Sequence, residues 1–446
     1  MAFVDKLSGD ASAPHSLDEP VSLANPGQLP IQAEQTEIPR IGPREVRALP
    51  AFLPEDILRI IFEDLHMSID NVRWDSETPR SYQLAVYSHV ACVLVSVCRH
   101  WRDVGLRTPR IWATIYLRWS SDSQAPHGSR PPIAAEYAES FADMHLDRSM
   151  GLPLRFSMSI DSLITVQGAP KLIPRLLSQA ARVESIILRI WTVIKEPASE
   201  IVLQYLRTPF TGLRHLDLSC VRCTIESYLG ILRNMPALET LKLRGMHVTC
   251  ITMEGFEAQV TLPRLHTLTL ANIDSVHFMP GQLLLTPSLV SLTWSAPQYP
   301  HASPQLDAML SAATLCPNWR CLRLEGLYSD EQRGCVGNYV VPNLRQLAQI
   351  TNLTIANSDV PDDVMEALGD AAAPLCPGLT HLVLVHNYYE YERSMDGLKK
   401  RLRMQGVLEA RLVDILIDER LYFELLVNAA AEAGCELRLL PPGSRI

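Results

Sequence analysis

One short pattern of apolar residues recurs along the chain from residue 183 onward, and it constrains the fold more than any other feature. The pattern is an apolar residue, two others, an apolar residue, one other and an apolar residue, as in LETLKL at 238 and LTHLVL at 379. Its copies start at 183, 213, 238, 265, 289, 319, 350, 379 and, in the degraded form VLEARL, 407. Recurrence of one motif at such a nearly regular spacing indicates an array of repeated structural units.

This spacing is the signature of a leucine-rich repeat, in which each unit supplies one strand and one helix or helical turn. Helix-like stretches such as ESYLGILRNM and DDVMEALGDA lie between the motif copies, and PLRFSMSI at 153 alternates like an earlier strand. A single repeat cannot bury its apolar side, so neighbouring repeats must stack. We therefore expect an α/β fold over 118–446: an irregular solenoid with a parallel sheet on its concave face and helices on its convex face.

Prolines mark the entry to many of the predicted strands. Because proline ends a helix and favours an extended residue before it, the chain should enter each of these strands at the same point. The copy at 350 leaves its register open, since LRQLAQ at 344 is an alternative strand. The array should end with a helix near 419–433, Gly434 as its C-cap and a last strand, CELRLL. The prolines, two residues before the first apolar position, are Pro236, Pro263, Pro287, Pro317 and Pro377.

The segment before the repeats divides into a polar tail and a small helical module. Residues 1–48 contain six prolines and no sustained periodicity, which is typical of a disordered tail. Residues 49–117 predict three helices. The first starts at Pro54, the second runs from Leu84 to Val104, and a short third one is opened by Thr108 and Pro109.

The predicted module carries more apolar surface than a domain of about 70 residues can hide. The first helix has two apolar stripes, Ile57, Ile60, Ile61 and Leu65 on one side and Leu58 and Phe62 on another. One stripe is enough for packing inside a small bundle. The second helix is apolar on opposite sides as well. We therefore expect an exposed apolar patch, and such patches usually mark a partner site.

Composition and short motifs exclude several classes of protein. The chain has 446 residues, 47% of them hydrophobic, and a net charge of −9, which argues against disorder and against general nucleic-acid binding. Its longest apolar run near the module, VACVLVSV, is too short to span a membrane, and its first twenty residues lack a signal-peptide core. The cysteines are scattered, which favours the cytosol or nucleus, and the pair Cys220 and Cys223 lacks the second pair that zinc needs.

No catalytic motif is present. The sequence contains no glycine-rich phosphate loop, no GxSxG turn and no HExxH helix, so we predict neither an enzyme nor a cofactor. The basic run KKRLR at 399–403 could indicate nuclear import or nucleic-acid contact. A solvated helix face is the more ordinary interpretation of such a run.

The helical module resembles an F-box, and its layout before irregular leucine-rich repeats is similar to that of fungal F-box proteins. The matching stretches are LPEDILRIIF at 53–62, VCRHWRDV at 97–104 and TPRIW at 108–112. The resemblance implies that the module binds a Skp-type adaptor, which joins it to a cullin and a RING subunit in a ubiquitin ligase. In such a ligase the F-box protein selects the protein substrate.

Carrying the resemblance over by position gives the candidate adaptor contacts. Two of them, Ile57 and Trp101, could instead belong to the core of the module, and Trp112 is expected to be core that packs the module onto the first repeat. The candidates are Leu53, Pro54, Ile57, Val97, Cys98 and Trp101.

Substrate selection should fall on the concave face, where the residues between the leucines point outward at a spacing of two. This row is mixed in charge and rich in hydroxyl groups, which suits a protein ligand held by several polar contacts. The alternative is a merely solvated face with binding on the loops. The candidate residues are His215, Asp217, Lys242, Arg244, Thr269, Thr293, Arg323 and Glu325.

Two rival functions remain open. The protein could be a scaffold that binds the adaptor and tethers a partner without degradation. It could also be a leucine-rich inhibitor or sensor in which the helical module is only an N-terminal cap.

Overall fold

The fold is described from a computed structural model in which residues 53–446 form one compact unit. The predicted tail at 1–48 lies outside the described residues. The structure describes 53–71, 90–119, 135–160, 174–190, 203–249, 259–273, 283–295, 306, 309–310, 316–327, 336–358, 362–385, 392–403, 409–413 and 420–440.

Within its described residues, the N-terminal module contains three α-helices and a 3₁₀ helix. They are α1 (Glu55–Asn71), α2 (Val90–Ser96), α3 (Arg99–Leu106) and the 3₁₀ helix Pro109–Trp112. Leu53 and Pro54 precede α1, and Glu55 and Asp56 occupy its first turn, where acidic side chains favour the helix dipole. The core of the module is built from Leu58, Phe62, Ala91, Leu94, Val104, Ile111 and Trp112.

The prediction of one continuous second helix is wrong for its described part. The chain leaves the helical conformation at Cys98, whose φ and ψ of −158° and 174° are extended. Its Sγ accepts a hydrogen bond from the backbone N–H of Trp101, so Cys98 acts as the N-cap of α3. The valine-rich sequence before it is a poor helix former, which lowers the cost of breaking there. Residues 84–89 lie outside the described range.

The 3₁₀ helix begins where the sequence predicts it, with Pro109 at its start, but Thr108 does not cap it with its side chain. The Thr108 hydroxyl donates instead to the carbonyl oxygen of Val104 at 2.8 Å. The bond therefore closes the end of α3 and fixes the turn between the two helices.

A parallel sheet of twelve strands runs through the rest of the described chain. Its first strand starts at Thr114, so the last residues of the predicted helical segment 49–117 belong to the sheet. The strands, in spatial order, are β1 (Thr114–Trp119), β2 (Leu154–Ile160), β3 (Val183–Ile190), β4 (His215–Ser219), β6 (Thr240–Arg244), β9 (Thr267–Ala271), β11 (Ser291–Ser295), β12 (Cys321–Glu325), β13 (Asn352–Ala356), β14 (His381–Val385), β15 (Glu409–Val413) and β16 (Glu436–Leu440).

The remaining elements connect these strands. The mixed α/β architecture with its long parallel sheet is the one expected of a leucine-rich-repeat solenoid. Two pairs of short strands form separate small sheets, β5 with β7 and β8 with β10. The elements are α4 (Ala135–Arg148), β5 (Arg222–Thr224), α5 (Ile225–Arg233), β7 (His247–Thr249), β8 (Val260–Thr261), β10 (Leu284–Leu285), α6 (Val336–Gln346), α7 (Asp362–Leu368), α8 (Glu392–Arg403) and α9 (Arg420–Ala433).

Two open points of the sequence analysis are settled by these bounds. Asn352–Ala356 is a strand and Val336–Gln346 is a helix, so the copy at 350 is the true repeat and LRQLAQ is not. The array ends as predicted, with a helix closing at Ala433, Gly434 at a φ of +65° and a final strand. Gly434 suits this position because the left-handed conformation is strained by a Cβ atom, and glycine has none.

The prolines before the strands occupy tight turns. In the turn Met235–Leu238, the backbone N–H of Leu238 donates to the carbonyl of Met235 at 3.2 Å, and Pro236 stands second. Proline suits that second position because its fixed φ matches the turn. The same bond precedes the strands at Leu265, Leu289, Trp319 and Leu379. The common entry point that the sequence predicts is therefore confirmed, with a turn as its cause.

A left-handed residue ends several of the central strands. In each case its backbone N–H donates to the carbonyl of the last residue on the next strand, for example from Cys220 to Arg244 at 2.7 Å. This geometry tilts the chain out of the sheet in the same way at each repeat, and glycine and asparagine tolerate it best. The residues with positive φ at this position are Cys220, Gly245, Asn272, Gly326 and Asn357.

One core lies on the leucine side of the sheet. The motif leucines alternate with half-buried polar residues, so that Leu241 and Leu243 are fully buried while the residues between and after them are half-exposed. Helix residues such as Leu229 and Leu398 join the same cluster. The opposite face carries the residues between the leucines, and we call it the polar face. It corresponds to the predicted concave face.

Helices α7 and α8 approach each other closely at glycine. A Cβ on Gly397 in α8 would overlap the backbone carbonyl oxygen of Met365 in α7. Gly230 in α5 has open space where its Cβ would lie.

The substitution Gly397→Ala should therefore lower the free energy of unfolding by about 1–3 kcal/mol, because the helices must separate. The same change at Gly230 should raise it by up to about 1 kcal/mol, since alanine loses less backbone entropy in a helix. Urea denaturation of both variants measures the difference. Equal effects in the two variants would contradict the close packing of α7 on α8.

Candidate functional site

Several large apolar side chains of the N-terminal module remain exposed. Leu58 and Phe62 are fully buried, whereas three residues of the other stripe of α1 are exposed and its fourth, Ile61, is half-buried against the core. Of nine exposed large hydrophobic side chains among the described residues, five belong to this module. They are Ile57 (44% exposed), Ile60 (63%), Leu65 (42%), Val93 (54%) and Val97 (50%), and we call them the exposed apolar set.

The start of α1 lies against the first turn of α3. The Nε2 atom of His100 is 3.0 Å from the carbonyl oxygen of Leu53, which makes a hydrogen bond between the two segments. Leu53 is half-buried and packs against the module core, while Pro54 and Ile57 are exposed. The contact brings the predicted adaptor residues of the first stretch next to those of the second.

The second stretch presents its three candidates differently. Val97 is exposed, Cys98 is half-buried and is occupied as the cap of α3, and Trp101 is half-buried. The ring of Trp101 lies 5.2 Å from that of Phe62, so one part of the indole belongs to the core. Pro54, Ile57 and Val97 are thus the candidates that are exposed to a partner, whereas Leu53 and Trp101 also support the fold.

Trp112 is core, as the sequence predicts. It is fully buried, and its Nε1–H donates to the carbonyl of Gly105 at 2.9 Å. His145 on α4 lies 5.1 Å from its ring, and the guanidinium of Arg148 lies 4.6 Å above it. A second link joins His66 on α1 to the hydroxyl of Thr114 on β1 at 2.9 Å. The module is therefore joined to the first strand through buried contacts.

The polar face carries its side chains in three rows that cross the strands. The middle row places Asp217, Lys242, Thr269, Thr293 and Arg323 side by side on consecutive strands, in the order that the sequence predicts. Regular parallel pairing without a register shift between these strands accounts for the alignment.

The other candidates lie in the flanking rows. His215 starts β4 in the first row and is exposed, while Arg244 and Glu325 end their strands in the third row and are half-exposed. Burial lowers the pKa of His215, and the neighbouring Glu184 and Glu239 oppose that shift. All eight candidates therefore belong to one face of one sheet.

Charge on the polar face is distributed unevenly. Arg323 donates from Nε to Glu325 at 2.5 Å, on the same strand. Arg411 pairs likewise with Glu409 at 2.8 Å, and Arg438 with Glu436 at 2.6 Å. On the N-terminal side of β12, strands β9 and β11 carry a band of hydroxyl groups from Thr267, Thr269, Ser291, Thr293 and Ser295. Such a surface can donate and accept hydrogen bonds along an extended ligand.

Sequence reasoning missed Arg189 and Ser219 in the third row. Arg189 follows the motif copy VESIIL and Ser219 follows LRHLDL, so counting two residues onward from each middle-row position would have found them. The signal was present, but only the alignment of the strands shows that Ser219 lies between Arg189 and Arg244.

The basic run 399–403 is not a wholly solvated helix face. Arg401 is buried and donates to the carbonyl of Cys376 at 3.2 Å, and Arg403 pairs with Glu432 at 3.1 Å. Lys399 pairs with Asp396 at 3.1 Å. These three residues of the run therefore take part in packing and ion pairs within the last repeats.

The part of the chain that the structure describes contains neither a membrane-spanning helix nor a cluster of metal ligands. No helix there has the length and hydrophobicity needed to cross a membrane. No three or more His, Cys, Asp or Glu residues there lie close enough to share a metal ion. Cys223 is buried in the core, and Cys220 is half-buried.

Comparison with known proteins finds a likeness at the level of solved structures only. No family model and no curated protein matches the chain. A structure of a protein from Bacteroides fragilis has 16% identity and a TM-score of 0.40, and the match covers 62% of this chain and 77% of that one. The leucine-rich repeat-containing protein LegL7 from Legionella pneumophila has 13% identity and a TM-score of 0.39, with 73% and 91% covered. Likenesses this low carry no information about function.

The buried His145 makes the junction between module and sheet sensitive to acid. Burial lowers the pKa of His145 to about 4, although its hydrogen bond to the carbonyl of Trp112, at 3.0 Å, opposes the shift. In the unfolded chain the pKa returns to its usual 6.5. The unfolded state therefore binds a proton that the folded state excludes when the pH lies between these values.

We expect the free energy of unfolding to fall as the pH drops from 6.5 to 4, by up to about 3 kcal/mol from this group. His145→Gln should remove that part of the pH dependence, whereas His266→Gln, at an exposed turn, should keep it. Thermal melts at pH 7 and pH 5 compare the three proteins. An unchanged pH dependence in His145→Gln would refute the assignment.

Proposed function

We propose that this protein is the substrate-recognition subunit of a ubiquitin ligase of the Skp–cullin–F-box type. In this proposal the N-terminal module docks a Skp-type adaptor, which brings a cullin and a RING subunit, and the polar face captures a protein substrate. The observation that supports it best is the exposed apolar set, of which Ile57, Ile60 and Val97 lie on the stretches that resemble an F-box. The ligase needs no catalytic site in this chain, no cofactor and no contact with nucleic acid or membrane.

The adaptor surface needs more than the exposed apolar set. Covering the exposed parts of Ile57, Ile60, Val93 and Val97 would contribute about 3–6 kcal/mol, taking half of the value for full burial. Association costs roughly 4–15 kcal/mol. Useful affinity therefore requires further contact from Pro54, from the exposed side of Trp101 and from polar groups at the rim.

The solenoid supports the second half of the proposal. Stacked repeats of this kind offer an extended surface for a protein ligand, and their affinity comes from many small contacts. The eight predicted residues share that surface, and their mixture of charges and hydroxyl groups suits a polar segment. A cytoplasmic or nuclear location accords with the free cysteines of the described chain.

Two substitutions test adaptor docking without disturbing the core. Ile57→Lys and Val97→Lys each put a charge where the proposed interface is apolar, and each should weaken binding of a purified Skp-type adaptor at least tenfold, about 1.4 kcal/mol. The residues are exposed, so the melting temperature should stay within a degree or two. Isothermal titration calorimetry and thermal melts measure both quantities.

Val427→Lys on α9 is the matched control, since this valine is 39% exposed at the far end of the array and should bind the adaptor as the unmodified protein does. Leu53→Ala and Trp101→Ala are less suitable, because both side chains also pack against the module core. Undiminished adaptor binding by folded Ile57→Lys and Val97→Lys would reject the proposed docking surface.

Co-purification distinguishes the ligase from its rivals. The ligase proposal requires the adaptor, a cullin and a RING subunit to co-purify with the full chain under proteasome inhibition, and all three to be lost with Ile57→Lys. Recovery of the adaptor alone would favour a scaffold without degradation. Recovery of none of them would favour a leucine-rich binding protein in which the module only caps the sheet.

A further inference from the structure

Arginine and serine alternate along the third row at the N-terminal end of the sheet. Register pairs join Arg118 to Ser159, Ser159 to Arg189, Arg189 to Ser219 and Ser219 to Arg244. We call these five positions the arginine–serine row. An arginine thus occupies every second strand from β1 to β6, and a small hydroxyl residue stands between each pair.

The spacing of this row is set by the sheet. Neighbouring strands lie about 4.8 Å apart, so the Cα atoms of Arg189 and Arg244 are separated by about 10 Å. Ser159 and Ser219 are buried and short, whereas Arg189 and Arg244 are half-exposed. Arg189 and Arg244 therefore lie on either side of the short, buried Ser219 on the polar face.

Among the described residues of β3, β4 and β6, positive charge exceeds negative charge on the polar face. The middle and third rows of β3, β4 and β6 hold Arg189, Lys242 and Arg244 against one carboxylate, Asp217. The hydroxyl of Ser219 already donates to that carboxylate at 3.1 Å. Burial lowers the pKa of Arg189, Asp217 opposes this and Arg244 adds to it, so the two arginines lie close enough to repel each other.

Three arginines farther along the polar face have a glutamate partner on their own strand. Arg323, Arg411 and Arg438 each pair with a glutamate two positions away. Strand β6 instead directs Thr240, Lys242 and Arg244 to this face and contributes no acid. The chain as a whole carries a net charge of −9, so this excess of positive charge is local.

We propose that the polar face between β3 and β6 binds an acidic segment of the protein substrate, with carboxylate or phosphate groups held by Arg189 and Arg244. The proposal rests on the proposed function of this face as the substrate-binding surface. Guanidinium groups bind carboxylate and phosphate through charge-assisted, often bidentate hydrogen bonds, and an anion between them removes their mutual repulsion.

The spacing also specifies how the acidic groups are arranged. A polyproline II segment rises about 3.1 Å per residue and repeats every three residues, so its side chains at i and i+3 lie on one side about 9 Å apart. That distance matches two strand spacings of the sheet. An extended segment with an acidic residue at every third position should therefore reach both arginines at once.

Fluorescence anisotropy with labelled proline-rich peptides tests the proposal on the full chain. One peptide carries two phosphoserines three positions apart, a second carries two glutamates there and a third carries two serines. We expect the phosphoserine or the glutamate peptide to bind at low salt, more weakly as salt is raised, and the serine peptide not to bind. Comparison of the two acidic peptides shows whether phosphate or carboxylate is preferred.

Arg244→Glu should weaken binding of the acidic peptide at least tenfold. Arg244→Gln removes the positive charge without adding a negative one, so it should give a smaller loss of affinity, and it serves as the second variant if the reversed charge disturbs the strand. Arg438→Glu is the matched control, because it makes the same charge change on the same face at an arginine that is already paired. A phosphoserine pair moved to adjacent positions keeps the charge and should bind more weakly.

Three outcomes would overturn the proposal. The first is no binding of either acidic peptide, and the second is an equal loss of peptide affinity in Arg244→Glu and Arg438→Glu. The third is a single-stranded oligonucleotide that displaces the labelled peptide at a lower concentration than unlabelled peptide does. Adaptor binding by the same Arg244→Glu protein should remain unchanged. If the unmodified protein binds the adaptor but neither acidic peptide, only this inference is rejected. If it binds an acidic peptide but not the adaptor, only the docking proposal is rejected.

Discussion

The pair of leucines in the middle of each repeat strand is the constraint on which the rest of the structure depends. Leu241 and Leu243 are fully buried beside Leu268 and Leu270 on one neighbouring strand and Leu216 and Leu218 on the other. A strand alternates its side chains with a period of two, so a slip of one residue would expose every leucine. Burial of this one side therefore fixes the register of the whole sheet.

Fixed register is what turns scattered polar residues into continuous rows. Residues that are 25 to 30 positions apart in the chain, such as Asp217 and Lys242, become neighbours across about 5 Å. Their side chains are not needed for the core, so they can vary without loss of the fold. The contrast between self-neutralised strands such as β12 and the unbalanced β6 is then a property of the surface alone.

The N-terminal module separates packing from exposure in a different way. Two apolar stripes on α1 can be read from the helical spacing, and Leu58 and Phe62 enter the core while Ile57 and Ile60 stay outside. The turns on either side of α3 hold this arrangement, through Cys98 at its start and Thr108 beyond its end. The apolar stripe left outside is the physical basis of the proposed partner site.

Packing on the N-terminal edge of the sheet ties the two parts together. His66 reaches β1, and Trp112 lies among Gly105, His145 and Arg148. Because the buried His145 at this junction is neutral in the folded protein, the free energy of unfolding depends on pH. The same contacts let the module close one end of the sheet, whether or not it also binds a partner.

The sequence alone determined the repeat, the outward rows, the helix on which Ile57, Ile60 and Leu65 are exposed and the closing helix and strand, because each of these follows from a local period. It did not determine β1, which has no motif copy and becomes a strand by pairing with β2. It also missed the break at Cys98, where capping and packing outweigh a continuous apolar pattern. Only the tertiary structure decided that Arg189, Ser219 and Arg244 adjoin, because side chains from distant segments meet only after the core has set the register.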